Sequence, residues 1–520
     1  MSSKSRSTTG CWTCRLRRKK CDEQSPACSV CTSLALTCHG YGARPQWMDG
    51  QGRERRMAES IRQAVKETAS QKRRAAMLRR NQDSAPSTSL SGTNTADGSS
   101  SPNDCTLSSS RSSSLAYSDE DEASLLMHYL DHVFPLQFPF YKPSILDGGR
   151  GWLLSILMQT KPLYYAALSL AAYHLQSIRC PSVKYAESGC WGAARAQEQR
   201  VLAIEGLRKH LEAISGSAKK RSLVDNIEML CSMVLLIALE ARPWRVHLRA
   251  ASIFVDDMRT VGMQESRREL SSSYNLALYF FAGVMAWYDI LSCVTTGAKS
   301  FCHCALGCLA IGDGFIQLDK VMGCQSWAMI CIMEIAALDE WKRGEQACGR
   351  LSVRELASRA ADIERKLEGS LDEMARAALH SPESSALKPQ DPVYLITQAF
   401  ACAALVYVHV VVSGPHPQLP EIRNGVVRTL AALEAFPDRQ MVRALFWPLC
   451  IAGAMALEKE EEFFRGPVAQ GPVCGPRFGN SSKVLAVLEE CWRVRKEENG
   501  ARTLEWREAM ERLGVEVLLV

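Results

Sequence analysis

The chain has 520 residues, 47% of them hydrophobic and 23% charged, which is enough apolar material for a sizeable core. Its 21 cysteines are too sparse for a small disulfide-stapled secreted scaffold, and nothing in the composition is collagen-like. The net charge of +6 is uneven: residues 1–80 carry 18 Lys and Arg against 6 Asp and Glu, leaving the remainder at a formal −6.

A basic N-terminus on a mildly acidic body fits a nucleic-acid-binding arm, an anionic membrane surface or a nuclear-import signal. Residues 1–20 hold Lys4, Arg6, Arg15, Arg17, Arg18, Lys19 and Lys20 with no apolar run, which argues against a secretory signal. The cysteines at 11, 14, 21, 28, 31 and 38 then spell C-x2-C-x6-C-x6-C-x2-C-x6-C, two near-copies of one half-site. A C-x2-C step lets one turn of backbone aim two sulfurs at one metal. Tetrahedral zinc wants four ligands, so six thiolates serve two zinc ions only if two of them bridge. The duplicated spacing predicts a binuclear cluster of Cys11, Cys14, Cys21, Cys28, Cys31 and Cys38.

The run Cys11-Trp12-Thr13-Cys14-Arg15-Leu16-Arg17-Arg18-Lys19-Lys20-Cys21, followed by Ser25-Pro26-Ala27-Cys28-Ser29-Val30-Cys31, resembles the fungal zinc binuclear cluster (six-cysteine) transcription factors. The resemblance implies two zinc ions bridged by Cys11 and Cys28. It also implies CGG-like triplets of double-stranded DNA read in the major groove from the end of the first short helix. That role falls on the basic run: Arg17 and Arg18 as base readers, Arg15, Lys19 and Lys20 as phosphate contacts. Arg and Lys donate to guanine O6 and N7, so the residue types suit the task. The same run also reads as a nuclear-localisation signal.

Residues 41–80 open on Gly42, Pro45, Gly50 and Gly52 and continue as a basic, helix-prone run without Pro or Gly. A heptad from Ile61 through Ala64, Thr68, Gln71, Ala75 and Leu78 makes a poor apolar seam. The run serves as an arm on phosphates, as a weak homodimer element or as a solvated face. Residues 81–118 hold 14 Ser among 38 positions, too little apolar surface to offset the entropy of ordering, and read as a disordered linker.

From about residue 119 the spacing turns helical. The acidic patch Asp119–Glu122 reads either as the first turn of a body helix or as an acidic-hydrophobic activation segment. Leu125, Leu126, Tyr129, Leu130 and Val133 then share a helix face, and Ile227–Leu239 is apolar nearly all round. Further helices are predicted around Leu163–Ile178, Ala193–Ile214, Val246–Val261, Asn275–Cys293, Trp327–Lys342, Val353–Ser370, Val393–Val412, Glu421–Phe436, Met441–Lys459, Ser482–Glu498 and Thr503–Leu513. Pro448 is expected to kink or split its helix. The apolar stretches Ala399–Val412 and Leu276–Tyr288 fall short of the roughly 18 residues of a membrane span, so no membrane is expected.

Three stretches resemble landmarks of the fungal-specific transcription factor domain: Val133–His174, Trp244–Ala251 and Met322–Trp327. The resemblance implies a helical regulatory body. Nucleotide-binding, P-loop, nucleophile-elbow and zinc-protease motifs are absent from the sequence, so no enzyme is expected. Cys302, His303, Cys304 and Cys308 read as core cysteines more readily than as a second metal or redox site. His128, His132 and His247 read as satisfying local hydrogen bonds.

The fold expected is mainly α. It comprises a zinc binuclear cluster module at 1–40, a basic linker or helix at 41–80, a disordered Ser-rich linker at 81–118 and a large all-α regulatory domain at 119–520. The function expected is that of a nuclear, sequence-specific, RNA polymerase II-type transcription regulator. Its expected partners are promoter DNA and the transcription machinery or co-regulators.

Overall fold

The computed structural model describes residues 9–62 apart from 26, 33, 35, 46, 56, 59 and 60. It describes residues from 119 onward apart from 144–147, 180–190, 216–221, 240–243, 261–269, 302–315, 381–386, 443, 470–480 and 499–501. The Ser-rich segment, the basic run beyond residue 62 and the Cys302–Cys308 group lie outside the described residues. The chain separates into two units, Met1–Ser112 and Ser113–Val520.

In the first unit, each C-x2-C step becomes the first turn of a short helix. The Cys11 sulfur accepts the Cys14 N–H at 3.4 Å and so starts α1, Trp12–Arg17. The Cys28 sulfur accepts the Cys31 N–H at 3.3 Å ahead of α2, Ser29–Thr32. Arg18 stops α1 by turning left-handed, at a φ of 56°. A small apolar layer closes over the cysteines: Leu36 and Ile61 are buried against them, with Leu16, Val30, Leu34, Tyr41 and Met57 packed around. Ile61, itself helical, thus belongs to the module's own core.

The second unit is all helix among the described residues. It begins with α3, Asp119–His128, which passes through a π-helical turn at Tyr129–Val133 into α4, Phe134–Gln137. Then follow α5 Gly151–Gln159, α6 Lys161–Arg179, α7 Trp191–Ser215, α8 Leu223–Leu239, α9 Trp244–Thr260 and α10 Ser272–Thr296. The C-terminal half holds α11 Leu318–Val321, α12 Ser326–Ala347, α13 Val353–His380, α14 Pro392–Ser413 and α15 Pro420–Glu434. It ends with α16 Arg439–Val442, α17 Phe446–Ala454, α18 Glu458–Ala469, α19 Ser481–Glu497 and α20 Trp506–Leu513. Consecutive helices pair, α6 with α7, α8 with α9 and α14 with α15.

Two helices sit at the centre. α10 meets α5, α8, α9, α11 and α12, and α14 meets α12, α13, α15 and α17. Their lengths correct the expectation from the sequence: at 25 and 22 residues, both are long and apolar enough to cross a membrane. Burial assigns them to the core instead, since 94% and 83% of their most apolar windows are enclosed by protein. The β-rich run Val406–Val412 lies inside α14. Ser271 caps α10 by accepting the Tyr274 N–H, and Gly297, at a φ of 66°, ends it.

The first landmark stretch forms an aromatic cluster on α10. Phe134, Phe138, Tyr141 and Trp152 all meet the Phe280 ring, at centroid distances of 4.7–5.5 Å. The acidic patch Asp119–Glu122 forms the first turn of α3. The helix expected over Met441–Lys459 is broken into α16, α17 and the start of α18. Pro448 does not kink α17; it lies in that helix's first turn, where a missing N–H leaves no bond unmade. α13 runs ten residues beyond its expected end at Ser370, because its apolar spacing continues through Leu371 and Met374, both buried.

Candidate metal centre and nucleic-acid interface

The six N-terminal cysteines converge as two four-sulfur groups, one of Cys11, Cys14, Cys21 and Cys28 and one of Cys11, Cys28, Cys31 and Cys38. Within each group the sulfurs lie within 4.8 Å of one another. The sulfur–sulfur contacts are 3.7 Å for Cys11–Cys28, 3.7 Å for Cys14–Cys28 and 3.8 Å for Cys11–Cys31, with Cys14 and Cys31 of different groups 3.9 Å apart. A Zn–S bond of about 2.3 Å sets the edge of a tetrahedral four-sulfur site at about 3.8 Å. A disulfide would draw its sulfurs to about 2.05 Å, and all six cysteines are free. The donor set and its spacing therefore fit two zinc ions, with Cys11 and Cys28 common to both groups.

The electrostatics of the sulfurs point the same way. Burial pushes the Cys11, Cys14 and Cys31 thiols up, Cys14 to about 11. At Cys21 burial is outweighed by the N–H groups of Cys11 and Glu23, and the thiol falls to about 7. Thiolates this crowded repel one another, and a divalent cation supplies the charge that lets them ionise together.

Residues beside the ligands hold the cage, and the sequence reading had not singled them out. Thr13, fully buried between Cys11 and Cys14, donates to the Thr37 carbonyl at 2.8 Å and accepts the His39 N–H at 3.1 Å. Trp12 donates its backbone N–H to Gly40 at 3.0 Å and its indole N–H to Gly42 at 2.9 Å. Asp22 accepts from the Ser29 N–H at 3.1 Å and from its hydroxyl, joining the two halves of the module. The cysteine spacing carries no signal for these contacts, which join residues 7 to 30 positions apart.

The five basic candidates lie at the end of α1. Arg15, Arg18, Lys19 and Lys20 are exposed and Arg17 is half-buried. The Arg15 guanidinium lies 4.1 Å from the centre of the Trp12 ring, which tethers it to the module. One guanidinium nitrogen of Arg17 is buried and meets no hydrogen-bond acceptor among the described residues. None of the five forms an ion pair among the described residues, so their charge is available to an anionic partner. The fixed Cys14–Cys21 loop thus presents five unneutralised cations beside the metal cage.

Comparison with known proteins matches the same two regions. Residues 9–48 match the fungal Zn(2)-Cys(6) binuclear cluster domain, and residues 124–520 match the fungal specific transcription factor domain. The trichothecene biosynthesis transcription regulator TRI10 of Trichoderma arundinaceum is 35% identical over 432 residues, covering 77% of this chain and 98% of that protein. Pestheic acid cluster transcriptional regulator 3 of Pestalotiopsis fici is 30% identical over 546 residues, 95% of this chain and 96% of its own. The ustiloxin B cluster transcription factor ustR of Aspergillus flavus is 28% identical over 612 residues, with the whole of both chains covered. No solved structure matches.

Proposed function

The chain belongs to the fungal transcription factors that join a Zn(2)-Cys(6) binuclear cluster to a fungal specific transcription factor domain, and from that premise we propose how its own residues carry the role. It is a DNA-binding transcription regulator with two zinc ions in its N-terminal cluster. The six cysteines at 11, 14, 21, 28, 31 and 38 are the ligands, with Cys11 and Cys28 bridging. Arg17 and Arg18 read base edges of CGG-like triplets, and Arg15, Lys19 and Lys20 hold phosphates.

The single observation that carries this reading is the pair of four-sulfur groups sharing two cysteines, with an unpaired basic run strung between their ligands. The protein works in the nucleus by binding rather than catalysis, with promoter DNA and co-regulators as partners. Its targets are the genes of a biosynthetic cluster, a reading supported by what the relatives' names say of them. Residues 1–40 form the DNA-binding module, 41–80 a basic connection that touches phosphates or supports a homodimer, 81–118 a linker and 119–520 the regulatory domain.

Titrating full-length protein onto fluorescent duplex DNA, before and after chelation, tests the reading. Binding is expected to disappear with zinc removal and return when zinc is restored, because the few apolar residues packed on the cysteines are too small a core to hold the module without its metal. Equal binding by the metal-free protein would overturn it.

A further inference from the structure

The helical unit holds three histidines that DNA binding does not use. His128 closes α3, His132 follows four residues later inside the π-helical turn, and His174 comes from α6. His174 is buried at 4% exposure, His128 is half-buried and His132 is exposed. Nε2 of His128 lies 2.8 Å from Nδ1 of His174. The His128 ring centroid is 4.9 Å from that of His132 and 5.1 Å from that of His174.

Imidazoles that meet nitrogen to nitrogen share a proton, and a metal ion can take that proton's place. With Zn–N bonds of about 2.05 Å, two nitrogens at a tetrahedral centre stand about 3.3 Å apart. Their ring centroids, about 1.1 Å further out, stand about 5.2 Å apart on the same geometry. Both centroid separations seen here are within a few tenths of an ångström of that value. The nitrogen contact needs to open by about 0.5 Å, a small adjustment for side chains. Unlike the cysteines, the three imidazoles are not already gathered around one point: His128 meets each of the other two rings, and His132, being exposed, must turn about its own side-chain bonds to bring the third nitrogen.

The surroundings leave the imidazoles as the donors. On α3, Glu122 accepts from the Tyr164 hydroxyl of α6 at 3.1 Å, and Asp131 of the π-helical turn pairs with Arg150 at 3.3 Å. Short π-helical turns recur at functional sites, and this one sets the register of His132 against His128.

We propose that His128, His132 and His174 form a site for a divalent transition-metal ion of the zinc class, distinct from the cysteine cluster and built of nitrogen donors alone. Imidazole suits zinc, copper and nickel, whereas the all-sulfur cage favours softer binding. The ion would tie α3, the first described helix of this unit, to α6.

The test counts zinc per chain in full-length protein dialysed against micromolar free zinc at neutral pH. Wild type is expected to hold one zinc more than His132→Gln and one more than His174→Gln. The readout is that difference, so it stands whatever the cysteine cluster retains. Since His132 is exposed, His132→Gln is expected to keep the wild-type helical signal and metal-free melting temperature. Zinc should raise the melting temperature of the helical unit in wild type by several degrees and leave His132→Gln unmoved. Equal zinc content in wild type and His132→Gln would overturn the proposal.

Discussion

The sulfur of Cys11 stands 3.7 Å from that of Cys28, and these two belong to both four-sulfur groups while each of the other four cysteines belongs to one. Each also accepts the N–H of the cysteine three residues on, at 3.4 and 3.3 Å, so the shared sulfurs are fixed by the helices they begin. The two halves of the module meet at this pair.

The cysteines should therefore fall into two classes by metal content. Cys11→Ser or Cys28→Ser is expected to remove two zinc ions per chain relative to wild type, and Cys21→Ser closer to one, measured on purified protein by elemental analysis. Cys14→Ala and Cys31→Ala are expected to abolish DNA binding through the loss of the cage. An equal zinc loss at Cys28 and Cys21 would contradict the sharing.

Base reading and phosphate binding should separate within the basic run. Arg18→Ala is expected to relax base preference at a cost of roughly 1–3 kcal/mol in binding to the preferred site. Lys20→Ala should weaken binding across sequences alike and flatten the slope of affinity against salt by about one counterion. Anisotropy titrations at several salt concentrations, on preferred and scrambled duplexes, measure both effects. Identical behaviour of the two variants would rule out the division.

A buried ion pair holds the C-terminal helix to the core. Arg507 meets Asp339 at 2.6 Å and Glu505 at 2.9 Å, with side chains 12%, 7% and 22% exposed. Burial raises the Glu505 carboxyl above its usual range even with the Arg507 charge beside it. Arg507→Met removes the guanidinium that opposes that shift and leaves the buried Glu505 carboxylate unpaired, so it is expected to cost roughly 3–5 kcal/mol at neutral pH. A carboxyl whose folded-state value is raised adds stability at low pH and loses it as pH rises through that value. The deficit of the variant against wild type should therefore shrink on acidification, followed by urea unfolding across the acid range. A deficit that grows would reverse the argument.

Helix propensity and packing make opposite demands at Gly425. Alanine there would favour the isolated helix by about 1 kcal/mol. Its added carbon, however, would stand 2.7 Å from a Val406 methyl and 3.2 Å from the Val406 backbone nitrogen on α14. The backbone cannot yield, and overpacking a core costs about 1–3 kcal/mol. Gly425→Ala is expected to lower stability by up to about 2 kcal/mol net, read as a lower thermal midpoint; a raised midpoint would show that α14 and α15 are not in close contact.

How much of this was legible in the sequence depended on how local each signal was. The cysteine spacing carried the cage, because two C-x2-C steps fix local turns whatever surrounds them. The long apolar helices were visible, but their lengths were underestimated: Ser272, Ser273, Thr295 and Thr296 of α10, outside the expected Asn275–Cys293, are helical without being apolar. Pro448 was expected to kink or split its helix, and the helix is split, with a new one beginning just before the proline. Ile61 stood out as the start of a poor heptad, and its burial against the cysteines comes from a contact that no periodicity encodes. The His128–His174 bond spans 46 residues and depends on α3 packing on α6, so neither histidine announced the other.

The most direct test is selection from random duplex DNA by zinc-loaded full-length protein, with sequencing of what is retained. The account predicts enrichment of CGG-like triplets, lost when zinc is removed; one triplet per site would mark a monomer and two a dimer. Retention of duplexes without any enriched sequence, with the cluster zinc confirmed in place, would contradict it.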